Sequence, residues 1–215
     1  KAFIENCTVS GKVSAELGYA GGIIGTSYNG SAFGTCVNLE IIKCTNEANI
    51  SVKQENAGGF IGYMTGSGST ASLENCLNKG RVKAEGNVAG GFIGKIQNSC
   101  TLNMKYCLNM GEVSGPSYIG SLIGWHVSNT CTLNFTSVYA ADTSDATGTG
   151  SYANDDVAVG NYPLQKKETM IALTDITVSA ENNANAVKGK LQGFNFDTIW
   201  SIDTAIGSTP ELRLK

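Results

Sequence analysis

Short apolar segments separated by glycine-rich and polar turns recur along the first two thirds of the chain. The clearest of them is a hexapeptide that reads Ala-Gly-Gly-Phe-Ile-Gly or a close variant and begins at residues 20, 57, 89 and 119. Recurrence at intervals of this size is typical of an internal repeat. The pattern therefore predicts a chain built from repeated units of one kind.

Two further elements recur within each unit. One is a short β-like segment that ends in a cysteine, and these cysteines are Cys7, Cys44, Cys76 and Cys107. The other is a Gly-x-Val turn and strand a few residues later, which becomes Ala48-Asn49-Ile50 in the second unit. Three short β segments per unit, separated by turns, describe one coil of a parallel β-helix. We therefore predict an all-β solenoid of about five coils with an irregular C-terminal cap.

Equivalent residues of stacked coils should form columns, about 4.8 Å apart along the axis. The apolar columns predicted to face inward are Cys7/Cys44/Cys76/Cys107, Val13/Ile50/Val82/Val113 and Ile24/Ile61/Ile93/Ile123. A polar column of Asn46, Asn78 and Asn109 falls at a turn, where stacked amides can hydrogen-bond along the axis and asparagine tolerates a positive φ. The hexapeptide glycines are expected where the chain bends sharply or where two backbones approach closely.

The repeat weakens after the fourth hexapeptide. A fifth copy is recognisable over residues 133–138, and a polar Gly/Ser/Thr/Asp-rich stretch follows it. We therefore divide the chain into repeat coils (1–141), an irregular polar insert (142–165) and a C-terminal capping segment of the same domain (166–215). Within the cap, residues 168–173 and 185–191 could form short helical turns. A terminal repeat that departs from the consensus is what shields the open end of a solenoid.

Composition narrows the functional classes. The chain has 215 residues, a net charge of −3 and only 15% charged residues, which argues against a nucleic-acid partner. No apolar run approaches the roughly 20 residues that a membrane-spanning helix needs. The first repeat element begins at the third residue, so we expect a monomeric segment of a longer chain.

The cysteines number seven and follow the repeat. Cys36, Cys100 and Cys131 form a second recurring set beside the first. Their columnar spacing favours reduced, buried thiols that act as small hydrophobic residues over disulfides or a metal site. No Cys-x-x-Cys spacing occurs and the chain has one histidine, which argues against a zinc site.

The combination of Cys-x-Asn-x-Gly-x-Val with Ala-Gly-Gly-Phe-Ile-Gly resembles the GLUG repeat of secreted or wall-anchored bacterial proteins. The repeat also occurs in the region upstream of the catalytic domain in immunoglobulin-A-specific metallopeptidases. The segments 193–200 and 210–213 are similar to its final element there. The resemblance implies a right-handed β-solenoid at the bacterial cell surface. It implies no catalytic residues, because the peptidase signature His-Glu-x-x-His is absent from the sequence.

The residues that follow the hexapeptides form the most plausible binding surface. They are Thr26, Tyr63, Lys95 and Trp125, and they are flanked by Tyr28 and His126. If these side chains face outward, the aromatic rings could stack on sugar rings. The alternative is that Tyr63 and Trp125 cover a seam or pack under the C-terminal segment.

One acidic group could hold a metal. Asp142, Asp145, Asp155 and Asp156 lie in the polar insert, where carboxylates, amides and carbonyls could supply the six to eight oxygens that calcium takes. Their spacing does not match an EF-hand loop, so a plain surface loop is the alternative. No other cofactor is indicated.

We therefore expect a non-catalytic solenoid segment of an extracellular bacterial surface protein. It would act in adhesion by binding a glycan or a host protein, or as a rigid spacer. The alternative from another class is a carbohydrate-active β-helix enzyme, a polysaccharide lyase or glycoside hydrolase, whose acidic residues are not evident from the repeat.

Overall fold

The computed structural model of the protein describes residues 1–27, 37–127, 131–142 and 170–213. Within these ranges, short strands wind into stacked coils, with five strand positions in a complete coil. The first two coils contain β1 (Ala2–Glu5), β2 (Thr8–Val9), β3 (Lys12–Ala15), β4 (Ala20–Gly21), β5 (Ile24–Ser27), β6 (Asn38–Ile42), β7 (Thr45–Asn46), β8 (Asn49–Val52), β9 (Asn56–Gly58) and β10 (Ile61–Met64).

The next coils repeat this order. They contain β11 (Thr70–Glu74), β12 (Leu77–Asn78), β13 (Val82–Ala84), β14 (Val88–Gly90), β15 (Ile93–Ile96), β16 (Thr101–Lys105), β17 (Leu108–Asn109), β18 (Val113–Ser114), β19 (Tyr118–Gly120) and β20 (Ile123–His126). A fifth, partial coil contributes β21 (Thr132–Thr136) and β22 (Tyr139–Asp142).

Strands at the same position in successive coils pair with each other. The longest sheet has the order β1-β6-β11-β16-β21, and every pair of neighbours in it is parallel. The other four strand positions form parallel sheets in the same way. The prediction of a parallel β-solenoid is confirmed, with four complete coils and part of a fifth among the described residues where about five were expected.

The predicted apolar columns are the columns of the structure. Val82 is in register with Ile50 on one side and Val113 on the other, and Ile93 is in register with Ile61 and Ile123. These six side chains are at most 3% exposed. Because each coil buries a narrow core, the same apolar positions have to recur in every coil for the stack to continue.

The cysteine column needs one correction. Cys44, Cys76 and Cys107 are buried and carry free thiols, as predicted, but Cys7 is exposed. Among the described residues no strand pairs with the free side of the first coil, so the Cys7 position is covered from one direction only.

The asparagine column is a buried amide ladder. The Nδ2 of Asn46 donates to the Oδ1 of Asn78 at 2.7 Å, and the Nδ2 of Asn78 donates to the Oδ1 of Asn109 at 2.7 Å. The positive φ predicted here lies elsewhere. It falls on the residue before each position of the cysteine column: Asn6, Lys43, Asn75, Tyr106 and Ser137. The asparagine column therefore serves hydrogen bonding, and the backbone bends instead at the residue just before the cysteine column.

The hexapeptide glycines are required by close approach. A Cβ on Gly91 would collide with the carbonyl oxygen of Ser121 in the next coil and with the side chain of Asn109. Gly91 is not among the glycines with positive φ, so only the second of the two roles predicted for the hexapeptide glycines applies to it. The missing side chain leaves room for the amide ladder.

The C-terminal segment packs on the last coils. β23 (Met170–Ala172) adds to β22 in parallel, and it is followed by a 3₁₀ helix (Leu173–Ile176) and α1 (Ala184–Lys190). β24 (Trp200–Ser201) and β25 (Glu211–Leu212) then pair antiparallel. The helical turn predicted over 185–191 corresponds to α1. The one predicted over 168–173 is wrong in the described part, because residues 170–172 form a strand.

Trp200 fixes this segment to the solenoid. Its ring is fully buried, and its Nε1 donates to the Oδ1 of Asn75 in the third coil at 3.2 Å. Around it a separate apolar cluster joins Leu77 and Leu108 of the coils to Val187 and Phe194 of the segment.

Candidate functional site

The candidate surface lies at the corner where each hexapeptide folds back on itself. A Cβ on Gly62 would lie 2.6 Å from the carbonyl oxygens of both Ala20 and Gly25, so only glycine fits. Because Ala20 and Gly25 are the first and last residues of the preceding coil's hexapeptide, the close approach brings the residue after one hexapeptide near the residues that flank the preceding one. Outward side chains on the two flanking strands therefore meet.

These side chains form a continuous row along four coils, here called the aromatic–lysine ladder. The ring centroids of Tyr19 and Tyr63 are 4.6 Å apart. The Lys95 Nζ lies 5.5 Å from the centroid of Tyr63 and 4.4 Å from that of Trp125. Trp125 then stacks on Tyr118 at 4.4 Å, with an interplanar angle of 4°. Ring–ring and cation–ring contacts thus link one coil to the next.

The structure places the sequence-predicted residues as follows. Tyr63 is in register with Thr26 and Lys95, and Lys95 is in register with Trp125, as the hexapeptide spacing predicts. Tyr28 lies outside the described residues. His126 is only 2% exposed and lies inside the solenoid, so it does not belong to this surface.

Only part of the ladder is accessible. Tyr63 is 8% exposed, because Tyr19 and Lys95 cover its ring and the Gln97 Nε2 donates to its hydroxyl. Tyr19, Lys95, Trp125 and Tyr118 are half-buried. A parallel ring at 4.4 Å fills one face of Trp125, so the Lys95 ammonium has to lie over the other face. A ligand would therefore meet ring edges unless it displaced the lysine.

The charges at the site follow from this packing. Burial between the rings lowers the pKa of Lys95, and the carboxylate of Glu55 opposes that shift. Burial, followed by the same carboxylate, raises the pKa of Tyr19. The ladder therefore carries one poorly hydrated cation beside one exposed carboxylate, with hydroxyl and amide groups at its edges.

Two ladder residues were missed by sequence reasoning. Tyr19 and Tyr118 both stand directly before a hexapeptide, at the position that Asn56 and Val88 occupy in the middle coils. Reading the residue before each hexapeptide as well as the one after it would have found them.

The proposed calcium ligands cannot be placed together. Asp145, Asp155 and Asp156 lie outside the described residues, and Asp142 is the last residue of β22, with its side chain also outside them. Within the described ranges, no group of three or more His, Cys, Asp or Glu side chains is arranged to hold a metal ion.

A second polar feature lies in the C-terminal segment. A cleft of about 520 Å³ is lined by Ser201, Ile202, Asp203, Gly207, Ser208, Thr209 and Glu211. Asp203 accepts from the backbone N–H of Thr204 at 2.6 Å, and Glu211 accepts from the Lys79 Nζ at 2.9 Å. Both carboxylates therefore already have partners within the protein.

Comparison with known proteins gives one structural likeness. No protein-family model and no curated protein matches the chain. Among solved structures, the chain is similar to the crystal structure of a "putative immunoglobulin A1 protease" from Bacteroides ovatus, with 21% identity and a TM-score of 0.61. The match covers 99% of this chain and 58% of that one, so the chain spans little more than half of its length. At this identity the likeness shows the fold alone.

One negative observation concerns membranes. No helix in the described ranges is both long enough and apolar enough to cross a bilayer.

Proposed function

We propose that the chain is a non-catalytic, monomeric solenoid segment of a secreted or wall-anchored bacterial surface protein, built from GLUG-type repeats, and that it serves as a rigid scaffold. The observation that carries this is the unbroken register of its columns through successive coils. Amide, apolar and ring contacts each link a coil to the next, so the stack resists bending at any one coil. The similarity to a "putative immunoglobulin A1 protease" supports a place within a larger protein.

Surface location is tested on intact cells of the source bacterium. Cells would be treated with a protease that cannot enter them and then probed with antibodies raised against this segment. The proposal expects loss of the signal from intact cells while a cytoplasmic marker survives. Full protection of the segment until the cells are lysed would contradict an extracellular location.

A second function, glycan binding, is favoured by the half-buried aromatic residues of the ladder. Trp125, Tyr118 and Tyr19 present ring edges, and Lys95 and Gln97 present hydrogen-bond donors, on one straight strip of surface. Such a mixture of apolar ring and polar edge suits a sugar chain lying along the solenoid axis.

A glycan array tests this function. We expect binding that is lost in Trp125→Ala and kept in Phe3→Ala, which removes an aromatic ring that is 56% exposed and lies on another sheet. Because Lys95 covers one face of Trp125, Lys95→Ala should strengthen binding if the sugar stacks on that face. Absence of binding to every glycan would leave the scaffold role alone.

The enzymatic alternative rests on the cleft in the C-terminal segment, where Asp203 and Glu211 share one lining. A pair of carboxylates is what most glycoside hydrolases use. The protein would be incubated with host and plant polysaccharides, with and without calcium. New reducing ends or unsaturated uronates that disappear in Asp203→Asn or Glu211→Gln would replace the non-catalytic proposal with this one.

A further inference from the structure

Cys100 and Cys131 lie one directly above the other in neighbouring coils. Each precedes the first residue of a long strand, and those residues, Thr101 and Thr132, are in register. The Thr132 N–H donates to the Cys100 carbonyl oxygen at 2.9 Å, which fixes the two backbones side by side. Neighbouring strands are about 4.8 Å apart, within the Cα separation of about 4.4 to 6.8 Å that a disulfide spans.

The two sulfur atoms are also close to each other. Both thiols are buried and free, and they are close enough for each to change the pKa of the other. The Cys100 Sγ is held further by the carbonyl oxygen of Gln97 at 3.1 Å. The spacing of the two strands therefore allows the bond to form without separating the coils.

A buried histidine completes the cluster. His126 is buried inside the solenoid and lies close enough to the Cys131 thiol to lower the pKa of that thiol. The interaction with Cys100, followed by that with His126, lowers the pKa of Cys131, whereas the interaction with Cys131 and burial raise the pKa of Cys100. Cys131 is therefore the member of the pair that loses its proton more readily and serves as the nucleophile.

A matched pair elsewhere lacks this chemistry. Cys76 and Cys107 are also buried and one coil apart, and their thiols donate to the backbone carbonyl oxygens of Ile41 and Leu73. No histidine stands beside them, since His126 is the only one in the chain. Burial raises the pKa of Cys76 well above its ordinary value, so its thiol keeps its proton.

We propose that Cys100 and Cys131 are a site of peroxide-driven oxidation that closes a disulfide between the fourth and fifth coils. The Cys131 thiolate attacks hydrogen peroxide. A sulfur–oxygen bond forms, the oxygen–oxygen bond breaks, and the departing hydroxide takes a proton to become water. The Cys100 sulfur then attacks the sulfenic acid, and a second water leaves. In sum, two thiols and one peroxide give one disulfide and two waters. Peroxide is small enough for a pair that solvent barely reaches.

The disulfide would close a loop across the coil boundary, just before the repeat breaks down. Cross-linking removes conformations from the unfolded chain, so the oxidised protein should melt at a higher temperature than the reduced one. His126 acts as a positioning residue, because it orients and polarises Cys131 without reacting.

The test uses the whole chain with Cys36→Ser, which removes a thiol that lies outside the described residues. Reduced protein is treated with hydrogen peroxide, denatured, alkylated and mapped by mass spectrometry. We expect a cross-linked peptide pair containing Cys100 and Cys131, lighter by two hydrogen atoms, while Cys76 and Cys107 are alkylated. Equal oxidation of the Cys76 and Cys107 pair, or free Cys100 and Cys131 after treatment, would overturn the proposal.

Two variants separate the steps. In Cys100→Ser, the sulfenic acid on Cys131 should persist and react with dimedone. In His126→Gln, the oxidation rate at a pH below both pKa values should fall about tenfold for each unit by which the pKa of Cys131 rises, and the rate should recover as the pH is raised. A rate that is lowered equally at every pH would assign His126 a packing role only. Because the mapping is done on protein with the pair intact, a variant that fails to fold does not leave the proposal untested.

Discussion

Asn78 stands between two other asparagines in the solenoid interior and is bonded to both. Its Oδ1 accepts from Asn46 and its Nδ2 donates to Asn109, each at 2.7 Å, and the side chain is fully buried. The same Nδ2 also donates to the Gly80 carbonyl oxygen at 3.1 Å. A single amide therefore satisfies polar groups of three successive coils.

Replacing Asn78 with alanine should destabilise the protein strongly. It removes the buried hydrogen bonds of Asn78 to Asn46, Asn109 and Gly80. The Nδ2 of Asn46 then keeps only the Ala48 carbonyl oxygen and the Oδ1 of Asn109 keeps only the Gly111 N–H, and each lost bond costs about 0.5–1.5 kcal/mol. We expect the free energy of unfolding to fall by at least about 2 kcal/mol in urea titrations. Asn134→Ala is the control, since its amide bonds to Asn103 on the exposed face. Equal losses in the two variants would mean that the ladder adds nothing beyond a surface hydrogen bond.

Gly91→Ala should also be costly, although it adds one methyl group. The new Cβ has no room beside the Ser121 carbonyl and the Asn109 amide, so two coils would have to separate locally. Overpacking of this kind costs roughly 1–3 kcal/mol or more. The control is Gly189→Ala in α1, where a Cβ meets nothing within 4 Å. There, alanine should stabilise by about 0.5–1 kcal/mol because it favours the helix. Thermal melting that ranks the two changes the other way would refute the close-approach explanation.

Removing the Trp200 ring should release the C-terminal segment. The side chain is fully buried and bonded to Asn75, so Trp200→Ala should cost about 3–5 kcal/mol. Hydrogen exchange should rise first in α1 and in the last two strands, and less in the middle coils. Ile206→Ala, at a side chain that is 79% exposed, is the matched control and should change little. Uniform loss of protection through all coils would show that the segment and the solenoid unfold as one unit.

The lowered pKa of Lys95 in the aromatic–lysine ladder makes the stability of the protein depend on pH. Burial lowers the pKa of Lys95 in the folded state, so folding disfavours its charged form. This destabilising contribution is fully present below the folded pKa and is relieved as the pH rises towards the unfolded value of about 10.4. Relative to Lys95→Gln, the wild-type protein should therefore gain stability between neutral pH and about pH 10.5. Urea midpoints of both proteins measure the difference, in which the other titrating groups cancel. A difference that shrinks with rising pH would reverse the assigned sign.

Columns were the most predictable part of the fold. Parallel stacking brings equal repeat positions together, so the positions of Ile61, Val82 and Asn78 followed from counting along the repeats. The same logic could have placed His126, whose register partner is the apolar Ile96 and whose neighbour Trp125 faces outward. Strand alternation makes the residue after an outward one point inward.

What the repeat does not encode was harder to predict. Residues 170–172 have a helix-like pattern, yet they form a strand because β22 offers an unpaired parallel edge. The contact between Trp200 and Asn75 joins residues 125 positions apart, and nothing local signals it. The Tyr118–Trp125 stack depends on how tightly the glycine corner closes, which is a property of the folded chain.

The amide ladder also gives the solenoid a polarity. Asn46 donates to Asn78, Asn78 donates to Asn109, and Asn109 ends the series on the Ser121 carbonyl oxygen at 2.9 Å. The positions beyond the two ends hold Val9 and Ala140, which can neither donate nor accept through their side chains. A duplicated coil that carries asparagine could therefore be inserted between two coils of the ladder with all its amide hydrogen bonds made. An asparagine placed beyond either end would instead face Val9 or Ala140, whose side chains cannot bond to it. Duplication of a coil can therefore extend the amide ladder when the new coil lies within it, and not when the new coil lies beyond either end.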